Sequence, residues 1–105
     1  QGGTEAGRIR CGGLEIAPRE GVATRDGVPI ALTKTEFRLL CDLAEHQNRV
    51  VSREVLLQRV WGYDYPGDGR LVDSHIRRLR TKVEIDAANP TLIQTIRGFG
   101  YKFTC

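Results

Sequence analysis

The segment "GRLVDSHIRRLRTKVEIDAANPTLIQTIRGFGYKF", Gly69 to Phe103, changes its period midway. Up to Glu84 the apolar residues recur at helical intervals. Val72, Ile76, Leu79 and Val83 stand at i, i+4, i+7 and i+11, which is one stripe along a helix. After the turn "DAANP" the text reads as strand, tight turn, strand. Leu92, Ile93 and Ile96 supply the first strand, and Tyr101 and Phe103 the second. Arg97 stands at the tip with Gly98 and Gly100. This Gly-x-Gly is not preceded by a strand and followed by a helix, so it is not a dinucleotide fingerprint.

Opposite the apolar stripe lie Ser74, Arg77, Arg78 and Thr81, flanked by Arg70 and Asp73, with His75 and Arg80 on the shoulders. A membrane-surface helix would carry bulky residues on its apolar face, and here that face is largely β-branched, sized for tight packing. Two readings stay open for the helix alone. One is a solvated face with arginines for solubility. The other is a face that enters the major groove of DNA, where short side chains permit close approach and arginine can fork onto guanine O6 and N7.

Working back toward the N-terminus, Arg8 to Leu32 reads as short strands. Asp26-Gly27 between two strand-like runs is a hairpin signal, and Pro29 confines its strand to an edge. At Leu32 the period becomes helical. Thr33 and Glu36 form a capping box, with Leu32 and Phe37 as the staple. Phe37, Leu40, Cys41 and Ala44 share the inward face, which makes Cys41 a small core residue. Ser52 is the next N-cap, for a helix from about Arg53 to Trp61, and Trp61 is expected to plug the core. The loop Gly62, Tyr63, Asp64, Tyr65, Pro66, Gly67, Asp68 is long for a helix–helix turn and carries two aromatics. Such a loop is a protein-contact surface or a poorly ordered connection.

The chain has 105 residues, enough for one domain with a modest core, and its net charge is +3. Placement matters more than the total. Residues 70–82 carry +4, from Arg70, Arg77, Arg78, Arg80 and Lys82 against Asp73, so the rest of the chain sums to −1. The basic charge is gathered in one element, as an anionic partner requires. Three cysteines, Cys11, Cys41 and Cys105, form no C-x-x-C pair and cannot all pair within one chain, which reads as a reducing compartment without a disulfide framework. His46 and His75 are not spaced with them as metal ligands, so neither a metal nor any other cofactor is expected. No apolar run reaches the ~20 residues of a membrane span. No nucleophile–base–acid order or carboxylate pair suggests an enzyme. The chain begins at Gln1 without a methionine, so it is expected to be part of a longer protein, with residues 1–7 a loosely ordered linker and 8–105 the domain.

Three helices, the last one basic, followed by a hairpin with an arginine at its tip, make a winged helix-turn-helix. The helix of residues 70–84 enters the major groove, and the wing of residues 92–104 reaches the adjacent minor groove. The alternative is a winged helix that binds protein and not DNA, for which so many arginines on one element are unneeded.

"LTKTEFRLL", "VVSREVLLQRVWG", "RLVDSHIRRLRTKVE" and "TIRGFGYKF", in this order and spacing, resemble the C-terminal effector domain of OmpR/PhoB-type response regulators, from Ile9 to Phe103. The resemblance implies an α+β fold with a four-stranded antiparallel N-terminal sheet, a three-helix core and a C-terminal β-hairpin wing. It implies a bacterial, cytoplasmic transcription regulator of a two-component system, with an upstream receiver domain phosphorylated by a sensor histidine kinase. It further implies head-to-tail dimers on direct-repeat half-sites of promoter DNA. By position, Asp73, Ser74 and Arg78 match base-facing sites. Arg70, His75, Arg77, Arg80, Arg97 and Tyr101 match phosphate or wing contacts. The loop of residues 62–69 matches one that contacts RNA polymerase in some members. Ser74 stands where valine is frequent, and Phe99 where smaller residues are common; Phe99 is expected to pack on the sheet.

Overall fold

In the computed structural model, which describes residues 3–5 and 7–105, two antiparallel sheets flank a helical layer. The N-terminal sheet is a meander of β1 (Gly3–Glu5), β2 (Arg8–Cys11), β3 (Leu14–Ala17), β4 (Val22–Arg25) and β5 (Val28–Pro29), in that order across the sheet. The four strands expected from Arg8 onward are β2 to β5. β1 is a fifth, pairing Gly3 with Arg10 and Glu5 with Arg8, so the backbone of residues 3–5 is sheet where a linker was expected. The remainder of that expected linker includes residues 1, 2 and 6, outside the described residues. Asp26 and Gly27 both adopt positive φ, 50° and 84°, as a two-residue hairpin with the right twist requires. β5, which holds Pro29, lies at the edge.

α1 (Lys34–Glu45) begins at the capping box read from sequence. The Glu36 amide donates to Thr33 Oγ1 at 3.1 Å, and the Thr33 amide donates to Glu36 Oε1 at 3.0 Å. α2 (Arg53–Leu56) starts at Ser52, whose Oγ accepts from the Val55 amide. It runs on through a π-helical turn, Leu57–Trp61, that ends at Gly62 with φ 118°. α3 (Gly69–Val83) starts at Asp68.

Between α1 and α2, Val50–Val51 forms β6, a strand that the sequence reading did not separate. It pairs with β8 (Gly100–Phe103), which pairs in turn with β7 (Ile93–Ile96). The wing is therefore two strands of a three-stranded sheet, order β6-β8-β7. Gly100 makes this join possible: its φ is 147°, and a Cβ there would collide with the Val51 carbonyl oxygen.

The core lies between the sheets and helices. Val72, Ile76, Leu79 and Val83 of α3 are all buried, as the stripe predicts, against Leu39, Leu40 and Leu43 of α1, Leu56 of α2, and Ile93 and Phe103 of the wing sheet. Cys41 is buried and free. Cys11 and Cys105, by contrast, are joined as a disulfide with 5.5 Å between their Cα atoms. This corrects the expectation of no disulfide. The partners are 94 residues apart, and only the fold brings the end of β2 beside the end of β8.

Candidate nucleic-acid interface

α3 is capped locally at its start and tied to the wing at its end, which decides what its outer face can do. At its start, Asp68 Oδ1 accepts from the Arg70 amide at 3.0 Å, and the Arg70 guanidinium pairs with Asp68 Oδ2 at 3.0 Å. Side-chain hydrogen bonding from Arg70 holds the exposed Asp68 carboxyl below the usual carboxylate range. Asp68, expected within a protein-contact loop, is thus the N-cap of α3.

At the other end Glu84 is buried, and its carboxylate accepts from the amides of Thr91, Leu92 and Ile93, the last at 2.7 Å. These amides open β7, so Glu84 carries the chain from helix to wing. Sequence reasoning missed it, because a Glu at a helix end looks like a surface residue. Lys82, counted with the basic face, is exposed but turns its ammonium to the body. Its Nζ bonds Glu36 Oε1 at 2.6 Å, while Glu36 is only 2% exposed.

The middle of α3 is braced against α2 and the wing. Asp73 Oδ2 accepts from Arg53 at 2.7 Å, and Asp73 Oδ1 accepts from the Tyr101 hydroxyl at 2.6 Å. Burial, together with the hydrogen bond to Asp73, pushes the Tyr101 hydroxyl up to about 12, so it remains a donor. Asp73, expected to face bases, therefore has both oxygens occupied within the domain. Tyr101, expected among the phosphate or wing contacts, is a buried wing residue tied to α3. Arg53 was not singled out in the sequence, since nothing in "SREV" distinguishes it from a surface arginine.

Arg80 donates to the Ile93 carbonyl at 2.8 Å and to Thr95 Oγ1 at 2.8 Å, and it lies 5.6 Å from the Tyr101 ring centroid. It is a strut between α3 and β7. His75 is half-buried against Trp61, ring centroids 5.0 Å apart at 79°. Its Nδ1 lies 3.0 Å from the Leu71 carbonyl, which can only accept, so Nδ1 carries a proton and, in the neutral ring, Nε2 is the acceptor.

The outer face differs in kind. Arg77 and Arg78 are exposed, and their guanidinium groups make no hydrogen bond or ion pair among the described residues. Arg97, at the wing tip, is likewise exposed and unengaged among them. Ser74 is exposed, with its hydroxyl donating to the Arg70 carbonyl at 3.1 Å, so an acceptor lone pair points outward. Phe99 is 72% exposed and does not pack on the sheet as expected, because the Gly98 turn carries it beyond the strands. Between α3 and the wing lies a cleft of about 320 Å³ lined by Arg53, Asp73, Arg97, Phe99 and Tyr101. In the loop before α3, Tyr63 is 81% exposed, while the Tyr65 ring lies over Gly67. No helix is long and apolar enough to cross a membrane among the described residues.

Residues 27–103 match the family described as "Transcriptional regulatory protein, C terminal". The chain is 54% identical over 89 residues to the DNA-binding response regulator MtrA of Mycobacterium tuberculosis, covering 85% of this chain and 39% of that protein. It is 46% identical over 96 residues to the alkaline phosphatase synthesis transcriptional regulatory protein PhoP of Bacillus subtilis, covering 91% and 40%. It thus spans about two-fifths of the length of these relatives. Among solved structures, the response regulator DrrB of Thermotoga maritima, an OmpR/PhoB homologue, superposes with a TM-score of 0.88 at 39% identity, over 94% of this chain and 45% of that one. The Klebsiella pneumoniae RstA DNA-binding domain in complex with RstA box gives 0.83 at 36% identity, over 92% and 96%. With its winged helix, its basic third helix and these relatives, the chain belongs to the family of C-terminal DNA-binding domains of OmpR/PhoB-type transcriptional regulators.

Proposed function

We propose that this domain binds double-stranded promoter DNA sequence-specifically, as the effector of a two-component response regulator that controls transcription. The observation that carries the reading is the outer face of α3. Arg77 and Arg78 project from it without intramolecular partners among the described residues, while Arg80 is held against the wing and the exposed Arg70 pairs with its neighbour Asp68. Fixed arginines set the orientation of the helix, and uncommitted ones remain for an anionic partner.

Arg78 reads a base edge, and Arg77 and Arg70 take phosphates, as does His75 when the ring carries both protons and Nε2 is a donor. Ser74 presents an acceptor to the groove, which suits the amino group of adenine or cytosine and not a thymine methyl. Arg97 and Phe99 of the wing enter the minor groove, where an exposed ring can lie against sugar. Asp73 orients Arg53 and Tyr101 and reads no base itself. Exposed Tyr63 supports a contact with RNA polymerase through the loop of residues 62–68. An upstream receiver, a sensor kinase, head-to-tail pairing on direct repeats and a cytoplasmic location rest on the kinship with response regulators.

Selection of bound sites from a random duplex pool, followed by salt titration on the best site, tests this. Affinity is expected to fall linearly in log–log form with slope about −0.9 per phosphate, for roughly four to seven phosphates per domain. Arg78→Ala is expected to relax preference at one base pair by about 1–3 kcal/mol, and Arg77→Ala to weaken all sites alike. Salt-independent binding would overturn the DNA reading and favour a protein-binding winged helix.

A further inference from the structure

We propose that Cys11 and Cys105 are a reversible dithiol–disulfide site, closed by peroxide and opened by small thiols, that locks the root of the wing to the N-terminal sheet. The proposal rests on the DNA-binding reading in one respect: bacterial DNA lies in a compartment whose reductants keep thiols reduced, where a disulfide is transient and redox-sensing.

Geometry supplies the rest. The Cα separation of 5.5 Å lies in the range that a disulfide spans without moving the backbone. Cys11 ends β2, and Cys105 lies just beyond β8, beside the backbone pairing of Thr104 with Leu92 at the root of the hairpin. Arg97 and Phe99 are at the opposite end of the same hairpin. Cys105 is exposed, and a cavity of about 370 Å³ opens beside the pair, lined by Arg25, Glu84 and Leu92 among others. A small oxidant or thiol can therefore reach the sulfur atoms. The Arg25 guanidinium in that lining donates to the Val83 carbonyl, next to the Glu84 that seats β7. The bond thus closes on the junction that holds helix and wing together.

The domain does not need the bond to fold. Its core is one cluster drawn from both sheets and all three helices, unlike small disulfide-dependent domains. Both redox forms are therefore native states. The third thiol, Cys41, is buried and pushed up to about 12 by burial, with Glu45 and Asp42 nearby, so it stays protonated and takes no part.

In closure, the Cys105 thiolate attacks a peroxide oxygen, breaking the O–O bond. This gives a sulfenic acid and, after proton uptake, water. The Cys11 thiolate then attacks that sulfur and displaces the second oxygen as water. In sum two thiols and hydrogen peroxide give a disulfide and two waters, with two electrons passing from sulfur to peroxide. Opening is the exchange reaction. A reductant thiolate attacks Cys105 and releases Cys11 as thiolate. A second reductant thiol then displaces Cys105, leaving the reductant as its disulfide.

The test uses the purified 105-residue chain. After treatment with hydrogen peroxide, native alkylation and mass spectrometry should find Cys11 linked to Cys105, with Cys41 unmodified until denaturation. The melting temperature should rise by roughly 10 °C or more, as expected for a bond closing so long a loop. Excess reduced over oxidised glutathione should reverse both changes. Cys105→Ser should melt with the reduced form and show no peroxide response. Failure of the bond to form in the native chain would overturn the proposal, and so would a bond that survives excess reduced glutathione. Duplex binding by the reduced chain, measured separately, tests the functional reading and not this one.

Discussion

Asp73 and Ser74 stand side by side on α3, and their neighbours give them different work. Asp73 has each oxygen engaged once, by Arg53 and by Tyr101, and those two bonds fix the direction in which the carboxylate faces. Ser74 has only its proton committed, to the Arg70 carbonyl, and keeps an outward acceptor. The pair of Asp73 with Arg53 is about two-fifths exposed on each side, so its Coulomb contribution is small and its value is geometric. Asp73→Asn keeps an acceptor for Tyr101 and removes the charge that holds Arg53. It also removes a negative charge from a surface facing phosphates. Non-specific affinity should therefore hold or rise while specific affinity falls, lowering the ratio of the two by roughly threefold to tenfold, about 1 kcal/mol. Binding measured across a library of single-base variants of the site checks this. A change of preference confined to one base pair would mean that Asp73 reads a base. The sequence placed Asp73 correctly on the helix. It could not show the orientation, because Arg53 and Tyr101 arrive from elements 20 and 28 residues away.

The wing is the element where two similar residues carry unlike burdens. Gly98 and Gly100 both have positive φ, 83° and 147°. A Cβ on Gly98 meets nothing within 4 Å, whereas one on Gly100 runs into Val51 backbone, where β6 joins β8. Gly98→Ala should cost only the left-handed penalty, about 1–2 kcal/mol. Gly100→Ala adds a backbone collision and should cost more than about 3 kcal/mol, with the β6 pairing lost first. Urea unfolding gives the two stabilities, and amide exchange at Val51 and Tyr101 reports the pairing. Equal costs would mean that β6 yields to the added methyl. From sequence, the two glycines looked like one tight turn. β6 itself, two residues between helices, is too short to show a period, so the need for Gly100 was not legible. The Thr33–Glu36 capping box, the Ser52 N-cap, the Asp26-Gly27 hairpin and the α3 stripe were legible, because each is written within a short run of the chain.

On the scale of the molecule, the layers are tied by long-range polar contacts between residues that look ordinary in the sequence. Glu36 was read as a helix cap, and it is one, but the same carboxylate also accepts from Lys82, joining the start of α1 to the end of α3. A charge at 2% exposure would be costly alone. Desolvation is the largest influence on its proton affinity and raises it. The hydrogen bond from Lys82, the Thr33 amide and the Lys82 charge together outweigh burial, and the Glu36 carboxyl sits below its ordinary value of 4.5. A carboxyl held low in the folded state contributes stability above the unfolded value and loses it as pH falls through the folded one. Stability should therefore be flat in this respect above about pH 5 and decline below about pH 4.5. Asp68 and Asp86, also held low by hydrogen bonds, are exposed, so they add little to that decline. Glu36→Gln keeps an oxygen for the Thr33 amide and gives up the charge for Lys82. It should cost about 1–2 kcal/mol at pH 7. The gap from the parent chain should narrow as the pH falls below the ordinary carboxyl value, because protonation of the unfolded chain then erodes what the charge contributes. Urea denaturation of both chains between pH 3 and pH 7 measures it. A gap that stayed constant across that range would show that Glu36 acts through packing, and that the link from α1 to α3 is not held by charge.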